Sequence, residues 1–268
     1  MTLNVKTILG SVAAIALIAA CGDTTSSPAA EKTNASESPA IAQTVSGSTS
    51  IPAGQLPEGV TPTAYRIELR TDPTADSFSG TVEIDVTLDA ATSEIFLHAL
   101  GPDITSAMAV YQADIAVAAT FEGELADGGV SRLTFSSPIP AGTATLRMNY
   151  TAPFNLGLAG LYKASQAGKD YLATQMEPID ARRAFPSFDE PRFKTPWTLT
   201  VTTPIGNQVI ANAREIDTEN LGDGWVRHRF APTRPIQSYL VALAVGPYEL
   251  FENNPCLLYT SPSPRDRG

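Results

Sequence analysis

Residues 81–89 read Thr-Val-Glu-Ile-Asp-Val-Thr-Leu-Asp, and this stretch decides the fold class. Apolar and polar side chains alternate strictly along it, so Val82, Ile84, Val86 and Leu88 share one side of an extended chain. The other side carries only hydroxyl and carboxylate groups. A period of two is typical of a β-strand with one buried and one solvated face.

Further strand-like runs lie on both sides of this stretch. Three runs alternate in a similar way: Tyr65–Leu69, Leu146–Tyr150 and Trp197–Val201. A fourth run, Tyr239–Val245, is more densely apolar, as expected of a more buried strand. No amphipathic pattern long enough for a four-turn helix occurs between them. The sequence therefore predicts an all-β architecture.

Turn signals separate these runs, for example Asp127-Gly128-Gly129 and Gly222-Asp223-Gly224. Short strands joined by such turns favour an antiparallel β-sandwich or a saddle-like β domain. We expect this domain to occupy residues 55–252, and we find no internal repeat.

Charge, cysteine and histidine content exclude several functions. The net charge is −10, and an acidic surface repels phosphate backbones, so nucleic acid is not an expected partner. Two cysteines, Cys21 and Cys256, are too few for a disulfide framework. Neither His98 nor His228 has a second histidine one helical turn away, so the sequence contains no recognisable zinc site.

The N-terminus has the pattern of a bacterial lipoprotein signal. A short basic start at Lys6 precedes the apolar run Ile8–Ala20, which is too short to span a bilayer and ends directly before Cys21. We expect residues 1–20 to be a signal peptide and Cys21 to be lipidated; the alternative is an ordinary cleaved signal in which Cys21 is incidental. Residues 21–54, rich in Ser, Thr, Ala and Pro, are predicted to be a flexible tether.

This signal predicts an exported protein anchored by lipid to a bacterial membrane and facing the periplasm. More than one acyl chain on the cysteine would give stable attachment. The outer membrane is the favoured location, since Gly22 after the cysteine is not an obvious retention signal.

Thr174–Pro191 is the segment with chemical information, and its sequence is TQMEPIDARRAFPSFDEP. Its start is predicted to be the end of a strand, on which Gln175 and Glu177 share one face. A carboxylate beside an amide carbonyl can accept hydrogen bonds from a cationic amine. From the residues alone, the favoured interpretation is that they are ordinary surface side chains or partners of Arg182 or Arg183.

The rest of this segment is predicted to be a short turn followed by a bend. Ile179–Ala184 could form one helical turn with Asp180 at its N-cap position. Phe185–Pro191, here named the corner, contains three aromatic or proline positions before Asp189 and should be conformationally fixed.

This segment closely resembles the TQxEPxDARRxFPxFDEP signature of the aminopeptidase N family of zinc exopeptidases. The resemblance extends to Leu56–Tyr65, to Gly160–Tyr162 and to Arg234–Leu240, so it covers the whole predicted domain. It implies that the fold is the N-terminal β domain of an aminopeptidase N. It also implies a parent protein that removes N-terminal residues from peptides.

The resemblance assigns roles by position. It implies that Gln175 and Glu177 hold the α-ammonium of the peptide substrate and help to line the pocket for its first side chain. Arg182, Arg183, Asp189 and Glu190 also belong to the signature. We interpret these four as a structural brace for the corner rather than as catalytic groups.

The family's zinc chemistry needs a Gly-x-Met-Glu-Asn loop, a His-Glu-x-x-His helix and a later glutamate ligand, none of which occurs in this sequence. We therefore expect zinc in a full-length parent and none bound by this chain, whose missing partner is the catalytic domain of the same polypeptide. The chain is expected to be inactive by itself, and it supplies no catalytic residue of its own.

Residues 253–268 depart from the family pattern and resemble translated adapter sequence, so we interpret them as non-native; the alternative is a genuine disordered tail.

Two other hypotheses about the function of the protein remain. One is a stand-alone, lipid-anchored β-sandwich that binds peptides or acts as a scaffold. The other is a pseudo-enzyme whose full-length parent lacks the zinc ligands.

Overall fold

A computed structural model describes residues 50–112 and 114–250. The predicted signal peptide, the lipidated Cys21, most of the tether and the predicted tail at 253–268 lie outside these residues. The predicted β domain is therefore described from its start to Leu250.

The described residues form strands joined by turns and two short 3₁₀ helices, at Ala181–Arg183 and Ser238–Leu240, which confirms the all-β prediction. The strands are β1 (Val60–Arg70), β2 (Ser77–Leu88), β3 (Thr92–His98), β4 (Asp103–Tyr111), β5 (Ile115–Ala126), β6 (Val130–Ile139), β7 (Gly142–Pro153), β8 (Gly160–Gln166), β9 (Lys169–Gln175), β10 (Trp197–Pro204), β11 (Gln208–Ala211), β12 (Glu215–Gly222), β13 (Trp225–Phe230) and β14 (Leu243–Gly246).

These strands make two sheets. The larger has ten strands in the order β12-β13-β10-β1-β2-β7-β4-β5-β6-β3, and the smaller has four in the order β11-β14-β9-β8. The pairing is antiparallel except between β1 and β10, which run parallel. The predicted antiparallel arrangement thus holds for most of the described strands.

The alternating stretch at 81–89 lies almost entirely in β2, in the middle of the larger sheet. Val82, Ile84, Val86 and Leu88 are all buried, whereas the polar residues between them are partly exposed. Complete burial of one aliphatic side chain contributes about 1.5–3 kcal/mol. This repeated gain fixes the register, because a slip of one residue would expose the whole apolar set.

The prediction of a continuous strand over Tyr239–Val245 is wrong in its first half. A 3₁₀ turn at Ser238–Leu240 comes first, and β14 begins only at Leu243. The Asn212 side chain provides the reason. Its amide donates to the Leu240 carbonyl at 2.9 Å and accepts from the Ala242 amide at 2.6 Å, so these groups are not available for a strand ladder.

The two predicted turns are present between β5 and β6 and between β12 and β13. Gly129 shows why glycine is needed in the first. Its φ is +77°, and a Cβ built there would lie 2.9 Å from the carbonyl oxygen of Ala99. Both the left-handed backbone and the close approach of the chain exclude larger residues.

A continuous hydrophobic cluster contains buried residues of both sheets, including Leu172 of β9 and Trp197 of β10. Trp197 stacks on Tyr65 with ring centroids 3.9 Å apart, and Phe185 packs against Trp197 at 5.5 Å. The corner is therefore attached to the core through its own aromatic side chain. This packing fixes the segment that follows β9.

Candidate substrate-amine site

β9 positions the two residues predicted to bind an amine, Gln175 and Glu177. The strand is hydrogen-bonded between β8 and β14, and Gln175, its last residue, lies opposite Gly160. Gln175 and Glu177 are exposed, whereas Met176 between them is 3% exposed and belongs to the core. Burial of Met176 thus directs its two neighbours to the surface, and we refer to Gln175 and Glu177 as the amine site.

The amine site has few internal contacts. The Gln175 side-chain amide donates to the backbone carbonyl of Glu177 over a long 3.5 Å. Among the described residues, the Glu177 carboxylate forms no ion pair, so its suggested pairing with Arg182 or Arg183 is not present. The charge of Glu177 is therefore free to meet a cation from outside this domain.

The chain turns sharply after Glu177. The Glu177–Pro178 peptide bond is cis, and the Asp180 amide donates to the Met176 carbonyl at 2.8 Å. The 3₁₀ turn Ala181–Arg183 follows, with Asp180 at its N-cap position as expected. The Asp180 carboxylate makes no capping bond, however, because it accepts a hydrogen bond from Arg183 Nε at 2.7 Å.

Arg182 and Asp189 form a buried ion pair that spans the turn and the corner. Arg182 Nε lies 2.9 Å from Asp189 Oδ2, and the two side chains are 7% and 1% exposed. Arg182 also donates to the backbone carbonyl of Asp189 at 2.8 Å and to that of Gly128 in the β5–β6 turn. The second carboxylate oxygen of Asp189 accepts from the Ser238 hydroxyl at 2.5 Å.

Glu190 and Arg183, the other predicted bracing residues, do not join this pair. Glu190 accepts hydrogen bonds from the Leu56 amide and from Arg192, both at 2.5 Å, and Arg192 donates to the Leu56 carbonyl at 2.8 Å. Within the described part of the chain, Arg183 pairs only with Asp180. The four signature residues therefore make three separate contacts. Their bracing role stays a prediction, which the burial of Arg182, Asp189 and Glu190 supports.

His98, at the end of β3, contributes to the corner although sequence reasoning assigned it no role. Its backbone forms a two-way bridge with Ser187, and its Nδ1 accepts from the Asp189 amide at 3.3 Å. Burial and, to a smaller extent, the nearby Arg182 charge together lower the pKa of His98 to about 3. The imidazole is therefore neutral at physiological pH and acts as an acceptor.

Tyr65 is a second contributor that the sequence pattern did not reveal. Its buried hydroxyl accepts a hydrogen bond from the Phe188 amide at 2.9 Å. Tyr65 and His98 lie on strands 91 to 123 residues away from their partners in the corner. Such long-range contacts have no local signal, since they depend on the topology of the sheets.

The described residues do not fit a zinc site. No three histidine, cysteine, aspartate or glutamate side chains of residues 50–112 and 114–250 are grouped as metal ligands. The two histidines lie toward opposite edges of the larger sheet, His98 on β3 and His228 on β13, where His228 pairs with Glu215 at 2.8 Å. We therefore assign no chemical step to a metal within this part of the chain.

The described residues also contain no helix with the length and apolarity needed to cross a membrane.

Comparison with known proteins identifies the family to which this chain belongs. The profile of the Peptidase M1 N-terminal domain matches residues 61–240, which is more than half of the chain. The chain therefore belongs to the M1 peptidase family through this domain, as its resemblance to aminopeptidase N predicted.

Relatives are found in several kingdoms. Glutamyl aminopeptidase of Homo sapiens is 29% identical over 224 residues, which cover 78% of this chain and 23% of the human protein. Aminopeptidase N of Acetobacter pasteurianus is 32% identical over 199 residues, covering 72% of this chain and 55% of that protein. A probable M1 family aminopeptidase of Encephalitozoon cuniculi is 34% identical over 179 residues, which cover 66% of this chain and 20% of that protein. The chain thus spans between a fifth and about half of the length of these relatives.

Proposed function

We propose that this chain is the N-terminal β domain of a zinc aminopeptidase, and that Gln175 and Glu177 hold the α-ammonium of the peptide substrate. The observation that carries this proposal is the exposed pair flanking the buried Met176 at the end of β9. Membership of the M1 family supports the reaction class.

The chemistry of the amine site suits a peptide N-terminus. Glu177 can accept charge-assisted hydrogen bonds from an ammonium group, and the side-chain carbonyl of Gln175 is a neutral directional acceptor. An exopeptidase must recognise the free terminus, and only the first residue of a peptide carries that ammonium. Binding it fixes the distance to the first peptide bond and so orients the scissile carbonyl.

The corner supports this role by limiting how far the amine site can move. Pro178 and Ile179 alone separate Glu177 from Asp180, whose amide is bonded to Met176. Two residues later Arg182 enters the buried pair with Asp189. A binding group is most effective when its supporting residues are themselves fixed by packing and hydrogen bonds.

In this proposal a catalytic domain of the same polypeptide provides the zinc ion, which polarises the scissile carbonyl and activates water. The residues of this chain bind and orient the substrate amine. The isolated chain should therefore release no product from an aminoacyl anilide in the presence of zinc. Turnover above the rate of a buffer control would contradict this part of the proposal.

The test of the whole proposal begins with the coding sequence downstream of Leu250. An open frame encoding His-Glu-x-x-His is expected, whereas a stop codon would contradict the proposal and favour a stand-alone peptide-binding module. In the longer polypeptide, Gln175→Ala and Glu177→Gln should lower kcat/KM for an aminoacyl anilide. The matched control is Gln208→Ala, an exposed glutamine at the start of β11, which should leave kcat/KM unchanged.

We further propose that the protein is exported and attached to a bacterial membrane through lipid on Cys21, facing the periplasm and preferentially at the outer membrane. The support is the sequence pattern of residues 1–21, a short basic start and an apolar run ending at a cysteine. Residues 21–54 would then act as a spacer between the lipid and the β domain.

A further inference from the structure

The loop Asn155–Ala159, which joins β7 to β8, exposes two leucines to an unusual degree. Leu156 is 90% exposed and Leu158 is 74% exposed, the highest values among the large hydrophobic residues of the described chain. Single exposed leucines are common and need no explanation. Two in one short loop give a local apolar surface that no described residue covers.

This loop lies beside the amine site. Gly160, directly after it, is the register partner of Gln175. A Cβ built on Gly160 would lie 2.8 Å from the Arg183 Cβ and 3.3 Å from the Asp180 carbonyl oxygen. The C-terminal end of the loop, at Gly160, is therefore close to the turn that follows Glu177. Ile179 in that turn is itself 46% exposed.

The chemistry of the loop suits an apolar protein partner. Its sequence, Asn-Leu-Gly-Leu-Ala, contains no charged residue in a chain with a net charge of −10. The backbone amides of Leu156 and Leu158 donate no hydrogen bond to any described residue. A partner that offers apolar side chains and a few backbone acceptors would satisfy both the leucines and these amides.

We propose that Leu156, Leu158 and Ile179, here named the leucine patch, form the docking surface for the catalytic domain of the same polypeptide. This inference rests on the proposed function, because an amine held by Glu177 can be positioned for cleavage only if the zinc-bearing domain approaches this end of β9. The relatives contain much more chain than the part matched here, which leaves room for such a domain.

Two other occupants of the leucine patch fit the observations less well. A membrane surface or a second copy of this chain seated on the patch would also approach Gln175, because Gly160 at the end of the loop lies opposite it. Either occupant would restrict the access of a peptide to the amine site. A domain that forms a cleft around the substrate covers the leucines and leaves the amine site open to that cleft.

Hydrogen–deuterium exchange tests the proposal without depending on activity. The longer polypeptide is compared with the 268-residue chain. The amides of Leu156 and Leu158 should exchange at least tenfold more slowly in the longer polypeptide. The amide of Asp223, in the β12–β13 turn far along the larger sheet, should exchange equally fast in both. Equal exchange of the two leucine amides in both proteins would overturn the proposal.

Leu158→Asp in the longer polypeptide provides a second measurement. It should remove the protection of the Leu156 amide and lower kcat/KM at least tenfold. Ile216→Asp, at a residue 54% exposed on the edge strand β12, should do neither. If Leu158→Asp instead abolishes binding to anionic lipid vesicles or a dimer seen by sedimentation while protection persists, the proposal is wrong.

The outcomes separate this inference from the proposed function. If the loop is protected but Glu177→Gln has no kinetic effect, the docking surface stands and the amine-binding role fails. If Glu177→Gln is strongly impaired but the loop is unprotected, the amine-binding role stands and the docking surface lies elsewhere.

Discussion

Replacing Arg182 by methionine should strongly destabilise the β domain. The guanidinium and the Asp189 carboxylate are 7% and 1% exposed, so the substitution leaves a nearly dry carboxylate without its counter-ion. Asp189 would keep the Ser238 hydroxyl and the weak 3.3 Å contact from the Arg182 amide, while the Gly128 carbonyl would lose its donor. Breaking a buried pair from one side costs about 3–5 kcal/mol.

The assay is chemical denaturation of the chain, followed by circular dichroism. Arg183→Met is the matched control, because this neighbouring arginine pairs with Asp180 at the surface and its side chain is 38% exposed. Exposed pairs contribute about 0–1 kcal/mol, so the control should unfold almost like the wild type. The double variant Arg182→Met with Asp189→Leu should recover part of the loss, since no unpaired charge remains. Equal losses for Arg182→Met and Arg183→Met would refute the reasoning.

Three further predictions concern other parts of the molecule. Since the pKa of His98 is lowered to about 3, the unfolded chain binds the extra proton, and the free energy of unfolding should fall as the pH drops below about 6.5. His98→Gln should reduce that slope by up to about 1.4 kcal/mol per pH unit in urea titrations. Gly129→Ala should cost roughly 1–3 kcal/mol, and more than Gly224→Ala, which has a similar φ of +80° but open space around its Cβ; equal losses in denaturation would exclude the steric argument. Cys21→Ala should abolish incorporation of radiolabelled palmitate and release the protein from membranes; unchanged labelling would show that Cys21 is not the acylated residue.

The strand pattern was predictable because it depends on local chemistry. Alternation along 81–89 and the glycine turn at 127–129 are properties of neighbouring residues, and both appear in the structure. The strand predicted over Tyr239–Val245 was too long, because the hydrogen bonds that compete with strand pairing come from Asn212, which is distant in sequence. The parallel pairing of β1 with β10 was likewise not predictable, since these strands are far apart along the chain.

The exposure of the two candidate site residues was predictable from the sequence, but the contacts that surround them were not. The position of Gln175 and Glu177 on one exposed side of a buried Met176 follows from strand periodicity. Sequence reasoning grouped Arg182, Arg183, Asp189 and Glu190, whereas the structure divides them among three contacts. The contributions of His98 and Tyr65 could be recognised only from the fold, because the topology of the larger sheet brings β3 and β1 to the corner.

The central claim is that Glu177 holds the α-ammonium of the substrate. In the longer polypeptide, the inhibition constants of alaninamide and of N-acetylalaninamide are compared for the wild type and for Glu177→Gln. The wild type should bind alaninamide, which has the free amine, more tightly than the acetylated compound. Glu177→Gln should raise the inhibition constant of alaninamide by about 10–150-fold, the equivalent of about 1.5–3 kcal/mol for a hydrogen bond to a charged group. The acetylated compound should be almost unaffected. An equal loss for both compounds, or no loss for alaninamide, would contradict the claim.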